Sequence, residues 1–171
     1  LDGYDEVRHV RLAPEGSEFE PQPAAAPNEL TSTYAPSYGA GAKGAFLGYV
    51  EEGSQESQIA VTPGLTHTGE GLTTGGQPGQ TLDHSPAVAV GQSGGAVVWY
   101  VNQSGLKNDL YFQRFEMGAG GVEAKGEPAK LNDGPAPPYQ PAVVHVGSDI
   151  FFVAWSEGTS PDFMLKGLFI E

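Results

Sequence analysis

The chain has 171 residues with 39% hydrophobic content, which fits one folded domain with a core, and its 25 glycines and 14 prolines indicate many turns. Its formal net charge of −13 creates a negative field that argues against nucleic acid as a ligand. It has no cysteine, which excludes disulfides, thiol catalysis and cysteine-ligated zinc.

The chain begins at Leu1 and shows neither the basic start nor the apolar core of a signal peptide, so we expect a processed chain or a piece of a longer one. The first predicted elements are a strand at residues 6–12 and a short, weak strand at residues 16–21. The second lies in a stretch rich in Pro and Ala, residues 13–30, that is typical of an outer loop or linker. These residues are therefore predicted to form only part of a structural unit.

A hairpin pattern of two short strands around a Gly-rich turn then occurs three times, at residues 35–49, 85–100 and 140–155. Each copy opens on a proline and closes on an aromatic residue: Pro36 and Tyr49, Pro86 and Trp99, Pro141 and Trp155. The three prolines are 50 and then 55 residues apart. An internal repeat of this length is typical of propellers and solenoids.

A third strand is predicted after each hairpin, at residues 58–63, 109–115 and 163–170, and a weak fourth strand at residues 69–74 and 126–132. Four antiparallel strands in about 50 to 55 residues are close to the length of one propeller blade. We therefore predict units at residues 1–30 (partial), 33–81, 84–135 and 139–171 (partial), within a single all-β domain of residues 1–171.

Two hairpin strands, residues 96–101 and 150–155, are continuously apolar and do not alternate, which predicts strands covered on both faces. Consecutive four-stranded antiparallel blades of a β-propeller, partial or completed by another chain, explain this pattern best, and a β-sandwich is the alternative. The predicted core consists of Val88, Val90, Val97, Trp99, Val143, Phe151, Val153 and Trp155. The apolar runs are far shorter than the roughly 20 residues of a membrane-spanning helix, so no membrane insertion is expected.

The strand count predicts a partner. The chain holds about three blades, fewer than the usual four to eight of a closed propeller. The last unit also lacks its fourth strand, which leaves the apolar residues 163–170 at an open edge. We therefore expect a second copy, or another polypeptide, to complete the propeller.

The repeat resembles the propeller-like repeats of large bacterial exported and surface proteins, whose form is Q-x-P-x-V-A, then F-V-V-x-W, then I-x-x-Q-R-F. Residues 85–90, 95–99 and 110–115 match this form well, residues 140–155 match over their first half, and residues 35–49 match loosely. The resemblance implies a propeller fold and an extracellular, cell-surface or periplasmic location in bacteria. It implies no single activity.

Candidate ligand-binding residues are few. Tyr34, Tyr38 and Tyr139 lie outside the apolar runs and are the aromatic side chains best placed to stack on a sugar. His84 stands at the entrance of a first strand, and His145 lies in the next first strand, so the two are expected near a common axis. No H-x-H or H-E-x-x-H motif accompanies them, and a packing or solvent-facing role is the alternative.

Candidate metal ligands lie in the loops between second and third strands, which gather on one rim of a propeller. Their oxygen-bearing side chains are of the type that binds Ca²⁺: Asn102, Asn108, Asp109, Glu157 and Asp162. None follows the D-x-D-x-D-G spacing of a preset calcium loop, so ordinary hairpin turns are the alternative. No cofactor is expected other than this possible Ca²⁺.

No catalytic motif occurs in the chain: there is no G-x-S-x-G elbow, no Gly-rich phosphate loop between strand and helix, and no complete sialidase-type box. The sequence therefore predicts a non-catalytic β-propeller interaction or scaffold module of an exported bacterial protein, which assembles with another chain. The alternative is a glycan-binding, lectin-like propeller whose binding depends on Ca²⁺.

Overall fold

The computed structural model describes residues 8–9, 22–23, 32–52, 57–64, 72–74, 86–103 and 107–171. All regular structure in these residues is antiparallel strand, so the all-β prediction is confirmed. The described part of the chain contains no helix long and apolar enough to cross a bilayer.

The strands form one two-stranded pair and three larger sheets, and within each larger sheet neighbouring strands are consecutive in the chain. The small pair joins β1 (Arg8–His9) and β2 (Gln22–Pro23). The first sheet contains β3 (Ser32–Gly41), β4 (Gly44–Glu52), β5 (Ser57–Pro63) and β6 (Leu72–Thr74). The central sheet contains β7 (Ala87–Val90), β8 (Gly94–Gln103), β9 (Lys107–Met117) and β10 (Val122–Lys130). The last sheet contains β11 (Pro138–Gly147), β12 (Ile150–Thr159) and β13 (Asp162–Ile170).

The fourth strand of the central sheet begins four residues earlier than predicted, at Val122 in place of residue 126. Its pairing with β9 shifts register between Lys125 and Ala129, where Gly126 has a φ of +80°. Only Val122 of this strand is buried, and the remaining residues are exposed. The strand start was missed because a strand with one buried residue carries almost no hydrophobic pattern.

The central sheet is covered on both faces. Val97, Trp99 and Val101 of β8 belong to a buried cluster shared with the first sheet. The alternate residues Ala96, Val98 and Tyr100 belong to a second cluster shared with the last sheet. All six residues are at most 3% exposed, so the prediction that residues 96–101 are covered on both faces is confirmed.

The last sheet is covered on one face only. Phe151, Val153 and Trp155 are buried against the central sheet, whereas Phe152 and Ala154 on the other face are half-buried. The described strands therefore cover residues 150–155 on one face only, and full coverage of both faces stays a prediction that involves a further sheet.

The predicted core residues form part of a larger observed core, which also includes Phe46, Ile59 and Phe115. Seven of the predicted residues are buried: Val88, Val90, Val97, Trp99, Phe151, Val153 and Trp155. Val143 is half-buried and packs against the cluster that joins the central and last sheets. The core therefore lies between sheets and is not enclosed by any single sheet.

Two leucines at equivalent positions test this arrangement. Leu110 of β9 is fully buried, and Leu165, which occupies the same place in β13, is 82% exposed. We expect Leu110→Ala to lower the free energy of unfolding by about 2 to 5 kcal/mol, because the change leaves a cavity in the core. Leu165→Ala should change it by less than about 0.5 kcal/mol. Chemical denaturation at low protein concentration measures both, and equal losses would contradict the one-sided burial of the last sheet.

Candidate interaction surface

The last sheet carries an apolar face that points away from the central sheet. The strand register places Val144, Phe152 and Phe169 side by side on this face. Val144 and Val146 are each 51% exposed, and Phe169 is 65% exposed. We define the outer face as Val144, Val146, Phe152, Leu165 and Phe169. An apolar face of this kind marks an interaction site when it is rimmed by polar groups.

The same positions are buried in the central sheet. The register pairs Ala89 with Ala96 in the central sheet and Val144 with Phe152 in the last sheet, so each residue of the first pair corresponds to one of the second. Ala89 is 7% exposed and Ala96 is fully buried, because the last sheet covers them. The outer face of the last sheet therefore repeats, position by position, a face that is covered elsewhere in the chain.

The edge of the last sheet is apolar as well. In the two preceding sheets a fourth strand runs along the third, whereas no described strand runs along the free edge of β13. β13 is exposed from Asp162 to Phe169, and its exposed residues include Phe163, Met164 and Leu168. The central sheet ends on β10, whose exposed residues are mostly Glu, Lys, Gly and Pro. Charged residues and proline protect a sheet edge from pairing, and β13 has few of them.

An ion pair between a buried glutamate and an exposed lysine lies on the inner side of β13. Glu157 is 3% exposed; it accepts a hydrogen bond from Trp155 Nε1 at 3.0 Å and pairs with Lys166 Nζ at 2.8 Å. Burial by itself raises the pKa of Glu157, but the hydrogen bonds from Lys166 and Trp155 outweigh burial and leave the pKa below its usual value. The pair fixes Lys166 on the inner side, which leaves the outer face of the sheet apolar.

Asp149 joins the last sheet to the central one. Its carboxylate accepts hydrogen bonds from the backbone N–H of Gln92 at 2.9 Å and of Ser93 at 3.0 Å, and from Ser93 Oγ at 2.5 Å. These bonds, first those from Ser93, hold the pKa of Asp149 below its ordinary value. Arg114 adds a bond from Nη2 to Asp149 O at 2.9 Å and lies over the Phe151 ring, 5.3 Å from its centroid.

The first strands of the three sheets line an open cleft of about 520 Å³. Its walls are residues 39–42 of the first sheet, residues 88–92 around the β7 turn, and residues 143–145 of β11. Glycines allow this approach: a Cβ on Gly41 would lie 2.7 Å from Val90 O. His145 lines the cleft and packs against Phe151, and its buried Nε2 has no hydrogen-bond partner among the described residues. The cleft presents mostly backbone and small apolar side chains.

Two of the four predicted ligand residues, Tyr38 and Tyr139, have described side chains. Tyr38 is 50% exposed on β3. Tyr139 is half-buried and packs edge-on against Tyr100 and Phe163, which gives it a structural contact on both sides. Tyr34 lies in β3 with its side chain outside the described part, and His84 falls outside the described residues.

Two of the predicted metal ligands, Asp109 and Glu157, have other side-chain partners. Asp109 is buried and pairs with Lys130 Nζ at 2.7 Å, and Glu157 is held by Lys166 and Trp155. The backbone carbonyl oxygen of Asn108 accepts a bond from Asn132 Nδ2 at 3.1 Å. Asp162 is exposed at the start of β13, and the side chain of Asn102 is outside the described part. Among the described residues no cluster of three or more His, Asp or Glu side chains is arranged to hold a metal ion.

Sequence reasoning missed Asp149, Arg114 and Asn132. In the sequence, Asp149 belongs to the third hairpin, Arg114 to the strand at residues 109–115, and Asn132 to the end of the weak strand at residues 126–132. Asn132 accepts a 2.7 Å bond from Leu110 N and so satisfies a buried backbone donor. No local pattern marks a side chain whose partner is 22 or 57 residues away, as for Asn132 and Asp149.

No protein-family model and no curated protein matches the chain. The resemblance to bacterial propeller-like repeats therefore stays a prediction.

The hydrogen bonds that the Asp149 carboxylate accepts from Gln92 and Ser93 predict a pH effect on stability. Because its pKa is depressed in the folded chain, the carboxylate contributes stability at neutral pH, and this contribution is lost as the pH falls below about 4. Asp149→Asn should be less stable at neutral pH and should lose less stability than the wild type on acidification. Ser93→Ala, which removes one of the three donors, should give part of the same effect. Parallel pH curves for Asp149→Asn and wild type, measured by thermal unfolding, would contradict this role.

Proposed function

We propose that this chain is a non-catalytic interaction or scaffold module of an exported bacterial protein, and that it assembles with another polypeptide. Its sheets are, on this proposal, consecutive blades of a β-propeller that is partial within the chain. The partner contributes a further sheet of the same kind, which packs on the outer face. The bacterial, exported setting comes from the resemblance of the repeat.

One observation carries the proposal. Leu110 and Ala96 are fully buried in the central sheet, while their equivalents in the last sheet, Leu165 and Phe152, are respectively 82% exposed and half-buried. Full burial of a Val, Leu or Phe side chain contributes about 1.5 to 3 kcal/mol. An outer face with five such residues therefore offers enough apolar area to offset part of the cost of association, about 4 to 15 kcal/mol.

The inner side of the last sheet indicates the chemistry of the partner. Phe151, Val153 and Trp155 are the side chains that cover the outer side of the central sheet. A sheet that presents alternating β-branched and aromatic residues in this register is complementary to the outer face. The negative net charge of −13 argues against a nucleic-acid partner.

The absence of catalysis is part of the proposal. It is supported by the lack of a catalytic motif in the sequence and by the partners of the buried carboxylates. Asp109 and Glu157 each bind a lysine, and Asp149 binds a turn of the neighbouring sheet. These carboxylates are committed to structural contacts.

A glycan-binding function is the second candidate, and the exposure of Tyr38 favours it. A half-exposed tyrosine on a strand is a suitable stacking platform for a sugar ring. Binding to a glycan array that is lost on addition of a chelator would support this candidate and its dependence on Ca²⁺.

With a second copy of the chain as the partner, the proposal predicts the mass of the chain in solution. Light scattering of the folded wild type at neutral pH should give an average mass above the chain mass of 17.9 kDa. Val144→Glu places a charge on the outer face and should lower that average mass. The matched variant Ala129→Glu, on the exposed polar strand β10, should leave it unchanged. A monodisperse species of 17.9 kDa, or a mass insensitive to Val144→Glu, would contradict assembly through the outer face.

A further inference from the structure

The free edge of β13 is the position that a fourth strand occupies in both preceding sheets. β6 pairs with β5, and β10 pairs with β9, each antiparallel to the strand before it. β13 pairs with β12 along its whole length from Phe151↔Ile170 to Thr159↔Asp162. No described strand pairs with its other edge, which presents the backbone donors and acceptors of a nine-residue strand.

β13 is locally neutral although the chain is strongly acidic. The strand contains one acidic residue, Asp162, and one basic residue, Lys166, and the rest are apolar or Gly. A second copy of the same strand thus meets no net charge of its own sign at the edge itself. Electrostatic repulsion between copies comes from the rest of the molecule, which carries the net charge of −13.

β13 is also complementary to itself in one antiparallel register. When Gly167 of one copy lies opposite Gly167 of the other, Leu165 lies opposite Phe169 and Met164 opposite Ile170, each twice. Lys166 then lies opposite Leu168, and no like charges face each other. In the register where Lys166 of one copy lies opposite Lys166 of the other, two like charges face each other directly, which is destabilising. The register where Leu168 lies opposite Leu168 shortens the overlap between the two strands and places Gly167 opposite Phe169.

The position of the Phe152 ring favours a strand pairing centred on Gly167. The Phe152 ring approaches within 2.5 Å of the place where a Cβ on Gly167 would stand, and it packs on Phe169 with ring centroids 4.8 Å apart. The ring therefore covers the glycine from the outer face. An aromatic residue over a strand glycine restores the packing that the missing side chain lacks.

We propose that β13 pairs with β13 of a second copy, antiparallel about a two-fold axis at Gly167, and so joins the two last sheets into one six-stranded sheet. This inference rests on the proposed function, since it names the partner at one edge of the interaction module. Because the two-fold axis runs perpendicular to the sheet, both outer faces lie on the same side. The dimer thus presents to further partners an apolar platform twice as wide as that of one copy.

The absence of cysteine from the chain makes the register directly testable. Residues directly opposite in an antiparallel pair have Cα atoms about 4.5 to 5.5 Å apart, which is within the range of a disulfide. Leu165→Cys and Phe169→Cys chains are mixed in equal amounts and oxidised, and the products are separated by mass. We expect the mixed disulfide to exceed each homodisulfide at least about five-fold, whereas random pairing gives about two-fold.

Two further cysteine variants test whether disulfide formation is specific to the edge of β13 and to the proposed register. Lys166→Cys places its thiol opposite Leu168 and should give little homodisulfide. Glu123→Cys, exposed on β10, should give none above the background of free chains. Raising the salt concentration should increase the yield of the mixed disulfide, because salt screens the repulsion between acidic copies. Circular dichroism of each variant checks that the β-structure is retained.

The outcomes separate this inference from the proposed function. A mixed disulfide in excess, together with a mass above that of one chain, supports the pairing. Equal yields of all disulfides, or a Lys166→Cys homodisulfide as abundant as the mixed product, would overturn the register. If the chain associates through Val144 and yet no β13 disulfide forms, the edge pairing is wrong and assembly through the outer face stands. If the chain is a monomer and gives no disulfide, both are wrong.

Discussion

Six consecutive residues of β8, residues 96–101, are buried on both faces of their strand, and the arrangement of the three sheets depends on this double burial. A strand covered on one face needs apolar residues only at alternate positions. In such a strand, a continuous apolar run would expose half of its apolar side chains to water. Packing the first sheet on Val97 and Trp99 and the last sheet on Val98 and Tyr100 uses both sets. The burial of one strand thus requires two other sheets.

Polar contacts then set the position of the last sheet relative to the central sheet. Arg114 extends from the central sheet and donates to the carbonyl oxygens of Asp149 and Ile170, at 2.9 and 3.4 Å. The Asp149 carboxylate of the last sheet in turn accepts hydrogen bonds from the backbone N–H groups of Gln92 and Ser93, which form a turn of the central sheet. Apolar packing between sheets has little directional preference, whereas these bonds have defined geometry. They fix the register between neighbouring sheets, and with it the direction in which the outer face points.

The sequence was a good guide to strands and a poor guide to the environment of the last sheet. The repeat of Pro86 and Trp99 at Pro141 and Trp155 located the hairpins, because strand pairing and interior packing are local consequences of pattern. The apolar run at residues 150–155 resembles that at residues 96–101. The local sequence does not show, however, how many sheets pack against a strand, because that number depends on the whole assembly. Phe152 is therefore half-buried although the pattern predicted full burial.

The candidate site could be predicted only in part. The open edge at residues 163–170 followed from counting strands, since each repeat unit ends in a fourth strand and the last one does not. The partners of Glu157 and Tyr139 could not be found in this way. Both residues look like exposed rim side chains in the sequence, but Glu157 is enclosed by Trp155 and Lys166, and Tyr139 packs against Tyr100. Such contacts cross between elements, and residue type alone does not reveal them.

Native-state hydrogen exchange measures the central claim most directly, since it reports the opening free energy of each strand separately. If double burial of β8 holds the sheets together, the amides of residues 96–101 exchange only through global unfolding and are the slowest of the described chain. Amides of β13 that point to its free edge should then exchange fastest at low protein concentration. Exchange of residues 96–101 as fast as that of β13, under conditions where the chain remains folded, would contradict the account.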